Sequence, residues 1–521
     1  MSSPAYHIVI GLETHVQLLT RTKLFCGCST RFGQAPNSAT CPVCAGLPGS
    51  LPVMNRRAFE LSVKAALALN CRIAEFTKWD RKNYYYPDLP KNYQISQYDL
   101  PLSHDGWLEI DAEGGRKRIG IIRAHLEEDA GKMLHDEQGG KRDSLVDLNR
   151  TGTPLLEIVS RPELSAPEEA KAYLEELRLL LRELEISDCE MQEGSLRCDA
   201  NINIHVPVSD PKGRTDAPLY AATPLIEVKN LNSFRAVERA MKYEADRQAQ
   251  ELERRLGGEW ELDHEAEREF LGRRVVPVKK RQGDKLAALA KATAGWDDRR
   301  GVTEVQRRKE EASDYRYFPE PDLAPLTVSA SLLLEMRESL GELPAAQLQR
   351  LQAQYGLSAY DAGVVSRQGR AFVAYVEQAA GLCGDAKEVC NWAANDVLQY
   401  LNEQKVAIGA FPISPFALAE LIKEVKALGI NRQRARDAFG LMLQGKTPKE
   451  AVAEFRPVGD ESQLREMIVK AIAANAKAVA DYKKGKTKAA DAIKGAVMRE
   501  TKGRANTELV QKILLEELAK T

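Results

Sequence analysis

From Leu196 to His205 polar and apolar residues alternate without a break. Leu196, Cys198, Ala200, Ile202 and Ile204 point one way; Arg197, Asp199, Asn201, Asn203 and His205 point the other. A period of two marks a strand with two unlike faces, so the chain must build a sheet that is dry on one side and polar on the other. Two further segments obey the same rule. In His7–Leu18, Glu13, His15 and Gln17 share a face, while Leu12, Val16 and Leu18 border the opposite one. In Ile119–Glu128, Arg123, His125 and Glu127 project together, with Glu128 where the strand ends at Asp129-Ala130-Gly131. A merely solvated face is rich in Thr, Lys and Glu. These faces carry Glu, His, Asp, Arg and Asn, the residue types that hold hard cations and phosphates. Oxygen ligands with an occasional imidazole suit Mg²⁺, and neighbouring Arg or Lys would neutralise phosphoryl charge. The plainer alternative is a charge-rich but inert surface.

Helices interrupt the strands at Arg56–Leu69, opened by Asn55, and at Pro167–Leu184, where Ser165 and Glu168 form an expected capping box. Strands with interspersed helices predict an α+β domain on an antiparallel or mixed sheet. The charged stretch Arg247–Gly301 carries few strand signals and reads as an insertion or a mobile arm. Asp314-Tyr315-Arg316-Tyr317-Phe318-Pro319-Glu320-Pro321-Asp322 then closes the domain in Pro-rich turns. After about Ser329 the spacing becomes helical and strand signals vanish. The expected division is a cradle domain at 1–328, an all-α helical domain at 329–445 and a small all-α tail at 446–521.

Hydrophobic residues make up 44% and charged residues 29%, which excludes a mostly disordered chain. No apolar run approaches the ~18 residues of a membrane span, and the N-terminus lacks a signal-peptide pattern, so a cytoplasmic protein without membrane contact is expected, or one of an organelle lumen if a transit segment has been removed. The net charge of −1 conceals an asymmetry. Residues 446–521 hold 16 Lys+Arg against 11 Asp+Glu, and Lys477–Arg504 holds 9 against 3. A basic tail on a mildly acidic body permits local contact with nucleic acid; the plainer reading is that these lysines solvate helices.

Nine cysteines in a chain without a signal sequence point to metal ligands before disulfides. Cys26-x-Cys28-(x)12-Cys41-x-x-Cys44 places four thiolates in two close pairs, suited to a tetrahedral Zn²⁺ with no open position, hence structural. The competing reading is four reduced, buried cysteines. Gly440 to Thr447 matches a P-loop expression, but it lies between helical segments. Thr447-Pro448-Lys449-Glu450 is a capping box, so the match is a helix–turn–helix joint rather than a phosphate cradle.

Several longer motifs occur in fixed order: Gly11-Leu12-Glu13-Thr14-His15-Val16-Gln17-Leu18, the four cysteines, and Asp80-Arg81-Lys82-Asn83-Tyr84-Tyr85-Tyr86-Pro87-Asp88-Leu89-Pro90-Lys91. They continue with Tyr93–Gln97, His125–Lys132, Gln192–Asn201, Lys229–Phe234 and Thr501–Asn506. Together they resemble the B-subunit family of the aspartyl/glutamyl-tRNA(Asn/Gln) amidotransferases over nearly the whole chain. The resemblance implies a cradle related to glutamine synthetase, a helical domain and a tail that contacts tRNA. It also implies a reaction: ATP phosphorylates the side-chain carboxylate of Glu-tRNA(Gln), Asp-tRNA(Asn) or both, and ammonia displaces the phosphate. That ammonia would come from glutamine hydrolysed in an amidase, the A subunit, with a small C subunit completing a heterotrimer.

Carried over by position, the Mg²⁺ and catalytic candidates are Glu13, His15, Glu128 and Asp199. Lys82, Arg197 and Lys229 are the candidates for ATP phosphate contacts, and Cys26, Cys28, Cys41 and Cys44 for structural Zn²⁺. Thr14 stands where the family usually has an apolar residue. The stretch 257–294 is longer and more charged than usual, and no site is carried over there. Two other functions compete: a non-catalytic zinc-stabilised RNA-binding protein, and a glutamine-synthetase-like ligase acting on a free small acid.

Overall fold

The Leu196–Val208 strand buries alternate residues from Leu196 to Ile204, as its composition requires. It pairs antiparallel with His7–Gln17 from His7↔His205 to Val16↔Leu196. The structure, a computed structural model, describes all residues except 1–5, 136–143, 211–212, 215–216, 283–284, 289–290, 310–314, 456–460, 484–488, 502–504, 506 and 521. Asp314 and most of the basic loops around 484–486 and 502–504 therefore lie outside the described residues.

His7–Gln17 also pairs with Pro154–Ser160, which pairs with Gly115–Glu128, which pairs with Ser103–Ala112, all antiparallel. These strands are the centre of a 14-stranded sheet that includes parallel pairs, so it is mixed. Its apolar face packs against the helices Arg56–Ala68, Pro167–Glu183 and Phe234–Arg255 in one continuous core. Thr14 is fully buried. The sheet's other face stays open and polar. The helix at Arg56 is capped by the Asn55 side chain as expected. At Pro167 the expected box differs: the Ser165 amide donates to Glu169 Oε2 at 2.7 Å, so the acid lies one residue later than Glu168.

The described residues of the stretch 247–301 are not a loose arm but part of the sheet. The helix runs to Arg255, and strands follow at Trp260–Leu262, Arg268–Phe270, Arg273–Gln282, Lys285–Ala288 and Lys291–Asp297. Arg273–Gln282 pairs parallel with Leu219–Ala222, and Lys291–Asp297 pairs parallel with Ile226–Lys229. Between Arg268 and Lys309 there are 13 Lys+Arg against 5 Asp+Glu. These charges outnumber the few buried apolar residues (Val275, Val276, Val278, Ala292, Ala294, Trp296) and hide the strand period.

The end of this unit returns to its beginning. Phe318–Pro319 pairs with Asp80–Asn83, and Leu326–Thr327 with Phe76–Thr77. Arg81 grips the buried Glu320 with two bonds of 2.7 Å, a fork-to-fork geometry that fixes both partners. The helix Ala330–Leu340 then packs on Arg56–Ala68 with Met336 buried in the same core. The compact unit accordingly spans Met1–Leu343, past the expected boundary at 328.

The second unit, Pro344–Thr521, is helical among its described residues. It holds two separate cores, one from Leu351 to Val452 and one from Leu464 to Leu518. Ala451 and Val452 belong to the first of these, so that core continues past 445. Gly440 lies inside the helix Arg432–Leu443, and Thr447 caps the helix Pro448–Ala453 with a complete capping box. No strand precedes this joint, and the P-loop resemblance has no structural counterpart.

Candidate active site

The register of the central strands lines up one row of side chains on the open face. Arg197 stands opposite His15, His15 opposite Glu157, and Glu157 opposite His125, so four strands each contribute one member. Neighbouring rows add Glu13 opposite Asp199, and Glu127 two positions beyond His125 on the same face. Glu13, His15, His125, Glu157 and Asp199 line a cleft of about 1390 Å³.

At the cleft floor, His15 Nε2 lies 3.6 Å from Glu157 and 3.8 Å from Glu127. His125 Nε2 lies 3.6 Å from Glu157 and 3.9 Å from Glu127. Ligand atoms of His15, Glu127 and Glu157 all fall within 4.8 Å of one another. Both carboxylates are buried. Burial and the neighbouring Glu157 charge push the Glu127 carboxyl above the usual range. Burial, and then the same Glu157 charge, push Glu13 up as well. Against its own burial, Glu157 is held below the usual range by the two imidazoles and Lys82. Burial drives His125 down to about 4, whereas at His15 the contact with Glu157 outweighs burial and raises it. Crowded acids with raised pKa are the mark of a site short of positive charge. A hard divalent cation fits this donor set of two carboxylates and an imidazole.

Lys82 faces the same cleft, with Nζ 5.2 Å from the Tyr315 ring centre. The charges of Glu127 and Glu157 outweigh burial and keep it firmly protonated. Lys229 pairs with Asp199 and, at 2.9 Å, with Glu227. Asn201 donates to Glu13 at 2.9 Å.

The structure therefore brings together Glu13, His15, Asp199, Lys82 and Lys229, and sets two expected residues apart. Glu128 points to the other side of its strand, where it pairs with Lys91 and accepts from the Ile95 amide at 2.8 Å. The acid that this strand gives the cluster is Glu127. Arg197 does not line the cleft; it donates to the buried Asp129 at 2.9 Å. Glu157 was missed altogether. Its only signal was a single acid inside the apolar run Pro154-Leu155-Leu156-Glu157-Ile158-Val159.

The four cysteines converge as their spacing predicts, and none is disulfide-bonded. Cys44 Sγ lies 3.5 Å from Cys26 Sγ and 3.7 Å from Cys41 Sγ. Four sulfurs at ~2.3 Å from a tetrahedral ion would stand roughly 3.8 Å apart, so the cluster is compatible with a metal. Gly46 closes the knuckle at φ 64, and a Cβ there would meet Lys91 Cγ at 2.5 Å. Glycine is thus required both for the turn and for the close approach of Lys91, the partner of Glu128.

Comparison with known proteins agrees with this architecture. The family described as "GatB/GatE catalytic domain" matches residues 8–334, and that described as "GatB domain" matches 374–518. The B subunit of the aspartyl/glutamyl-tRNA(Asn/Gln) amidotransferase of Rhodopirellula baltica is 46% identical over 516 residues, 98% of this chain and 97% of its own. That of Caldanaerobacter subterraneus subsp. tengcongensis is 47% identical over 518 residues, 99% of this chain and 100% of its own. That of Moorella thermoacetica is 46% identical over 516 residues, 98% and 100%. The chain belongs to the GatB family. These matches do not support the reading as a non-catalytic RNA-binding protein.

Proposed function

We propose that this chain is the B subunit of a tRNA-dependent amidotransferase, a ligase that forms a carbon–nitrogen bond with glutamine as amido donor. Its substrate is the mischarged end of Glu-tRNA(Gln), Asp-tRNA(Asn) or both. A carboxylate is a poor acyl donor, so the reaction needs a leaving group. The side-chain carboxylate attacks the γ-phosphorus of ATP, the bond to the β-phosphate oxygen breaks, and ADP leaves. The ammonia lone pair then attacks the acyl carbon, the C–O bond to phosphate breaks, and the surplus proton leaves with inorganic phosphate.

The observation that carries this reading is the convergence of His15, Glu127 and Glu157 in a cleft that also holds Lys82 and Lys229. A Mg²⁺ bound there would offset phosphoryl charge as it develops. Glu157 and Glu127 would supply carboxylate oxygens and His15 an imidazole to that ion, with Glu13 and Asp199 in the same cleft. Lys82 and Lys229 would face the phosphates, while Arg197 would act at a distance by fixing Asp129. Cys26, Cys28, Cys41 and Cys44 would hold a structural Zn²⁺. The partners would be an amidase, the A subunit, which supplies ammonia, and a small C subunit, in a cytoplasmic heterotrimer. The three-part division into cradle, helical domain and tail would place the tRNA body on the basic tail. Among the described residues no helix is long and apolar enough to cross a membrane.

The test is co-expression with the partner subunits and measurement of ATP-dependent amide formation on Glu-tRNA(Gln) and Asp-tRNA(Asn). Glu157→Gln should lower ATP-dependent amidation about 10²–10³-fold while leaving glutamine hydrolysis by the partner intact. Amidation at the wild-type rate would refute the assignment.

A further inference from the structure

We propose that Lys23 is a positioning residue of the cysteine cluster: its ammonium offsets the net negative charge of four thiolates around a divalent cation and ties occupancy of that site to the order of residues 147–153. The proposal rests on the reading of the four cysteines as a zinc site.

Lys23 has no exposed surface, and it is the only lysine or arginine so buried among the described residues. Lysine is almost never fully buried unless it is paired. Its Nζ donates to Ala39 O at 2.8 Å, to Leu148 O at 3.3 Å and to Cys44 Sγ at 3.3 Å. Two of these acceptors are neutral carbonyls. No carboxylate lies within ion-pair distance among the described residues, so the sulfur is the one group in contact that can carry negative charge. With Cys44 as a neutral thiol, an ammonium would be buried without a counter-charge, which is costly. With four thiolates on a divalent ion, the cluster carries a net charge of about −2, and one adjacent ammonium halves it. Lysine and metal each remove the other's electrostatic penalty.

The same ammonium also spans two pieces of chain. Ala39 belongs to the cysteine loop, and Leu148 to the segment that leads into Pro154–Ser160, the strand bearing Glu157. Other bonds run the same way. Asn37 accepts from the Leu148 amide at 2.8 Å, the Ala39 amide donates to the Asn149 side chain at 2.8 Å, and the Leu24 amide donates to Gly152 O at 2.8 Å. Loss of the metal would release the sulfurs from their fixed arrangement, strip Lys23 of its counter-charge and draw it toward water. The contact between Ala39 and Leu148 would open with it.

Three variants of the full-length chain, assembled with its partner subunits, test this: Lys23→Met, Lys23→Gln and Lys23→Arg. Zinc loss into excess chelator should be about 10–100-fold faster in Lys23→Met, as for other residues that support a metal ligand, and partly restored in Lys23→Arg. Lys23→Gln keeps donors without charge and gives the same reading should the methionine variant not fold. The melting temperature should fall in the zinc-loaded variant and not in the stripped one, because the stripped wild type holds an unbalanced ammonium. Amides at 147–153 should exchange faster with solvent in stripped wild type and in loaded Lys23→Met. Unchanged zinc release, or equal losses in the loaded and stripped forms, would reduce Lys23 to a packing role and overturn the proposal. A wild-type chain that takes up no zinc would instead sink the zinc reading, and this proposal with it.

Discussion

Among the described residues, two clusters of side chains could hold a metal ion, and they are built in opposite ways. The cysteine cluster draws all its members from 26–44, one loop after one strand. The acid–histidine cluster takes His15, Glu127 and Glu157 from three strands that meet only through sheet register. The first is a local object: the turn at Gly46 and the spacing of the thiols suffice to form it. The second exists only when the whole sheet has formed in register, because a slip by one residue would turn its row of ligands into the core. A site that depends on register is also held by it, which suits chemistry that needs fixed distances.

The largest test of this contrast is Glu157→Gln, which removes one carboxylate and leaves the fold intact. Amide formation should drop about 10²–10³-fold, the cost of losing one preorganised electrostatic partner. The melting temperature should fall as well, because His15, His125 and Lys82 lose the charge they face. Adjacent residues on opposite faces give the next test. Glu127→Gln should reduce activity without destabilising the chain. Glu128→Gln should cost roughly 1–3 kcal/mol in urea unfolding, because the buried Ile95 amide and Lys91 lose their charged acceptor. The reverse pattern would return Glu128 to the cluster. Cys41→Ser should act on the local object alone. It should lower zinc retention and expose 26–46 to protease, with amidation falling about 10-fold, while the helical unit melts unchanged.

The smallest effect is electrostatic. His205 is buried, and burial, followed by the charge of Arg273, lowers its pKa to about 4. The folded chain keeps this ring neutral while the unfolded chain protonates it from about pH 6.5 downward. The unfolded state therefore binds more protons between those values, and stability falls as pH falls. The slope should reach at most about 1.4 kcal/mol per pH unit, and it should shrink in His205→Gln when urea midpoints are compared at about pH 7 and about pH 5. His15, raised by Glu157, contributes with the opposite sign: its stabilisation is full at low pH and is lost as pH rises through its folded value.

What could be read before folding follows the same division. The alternation at Leu196–His205 and the cysteine spacing were legible because each depends on neighbours in sequence. The strand period puts Glu127 beside His125, whereas Glu128 enters only through the positional resemblance, and a shift of one residue reverses the face. Glu157 offered only one acid among apolar residues, which a salt bridge or a strand end explains as readily. The strands between Arg268 and Lys309 stayed hidden because their many Lys and Arg mask the strand period, while their partners, Leu219–Ala222 and Ile226–Lys229, lie far upstream.

The pairing of Arg81 with Glu320 and the docking of Ala330–Leu340 on Arg56–Ala68 also set a timetable. A ribosome adding roughly 5–20 residues per second needs roughly 15–70 s to deliver some 340 residues. Until then the helix Arg56–Ala68 and the strand at Asp80–Asn83 wait with a face uncovered. A stop codon anywhere before Glu320 would leave a product without the partner that Arg81 grips.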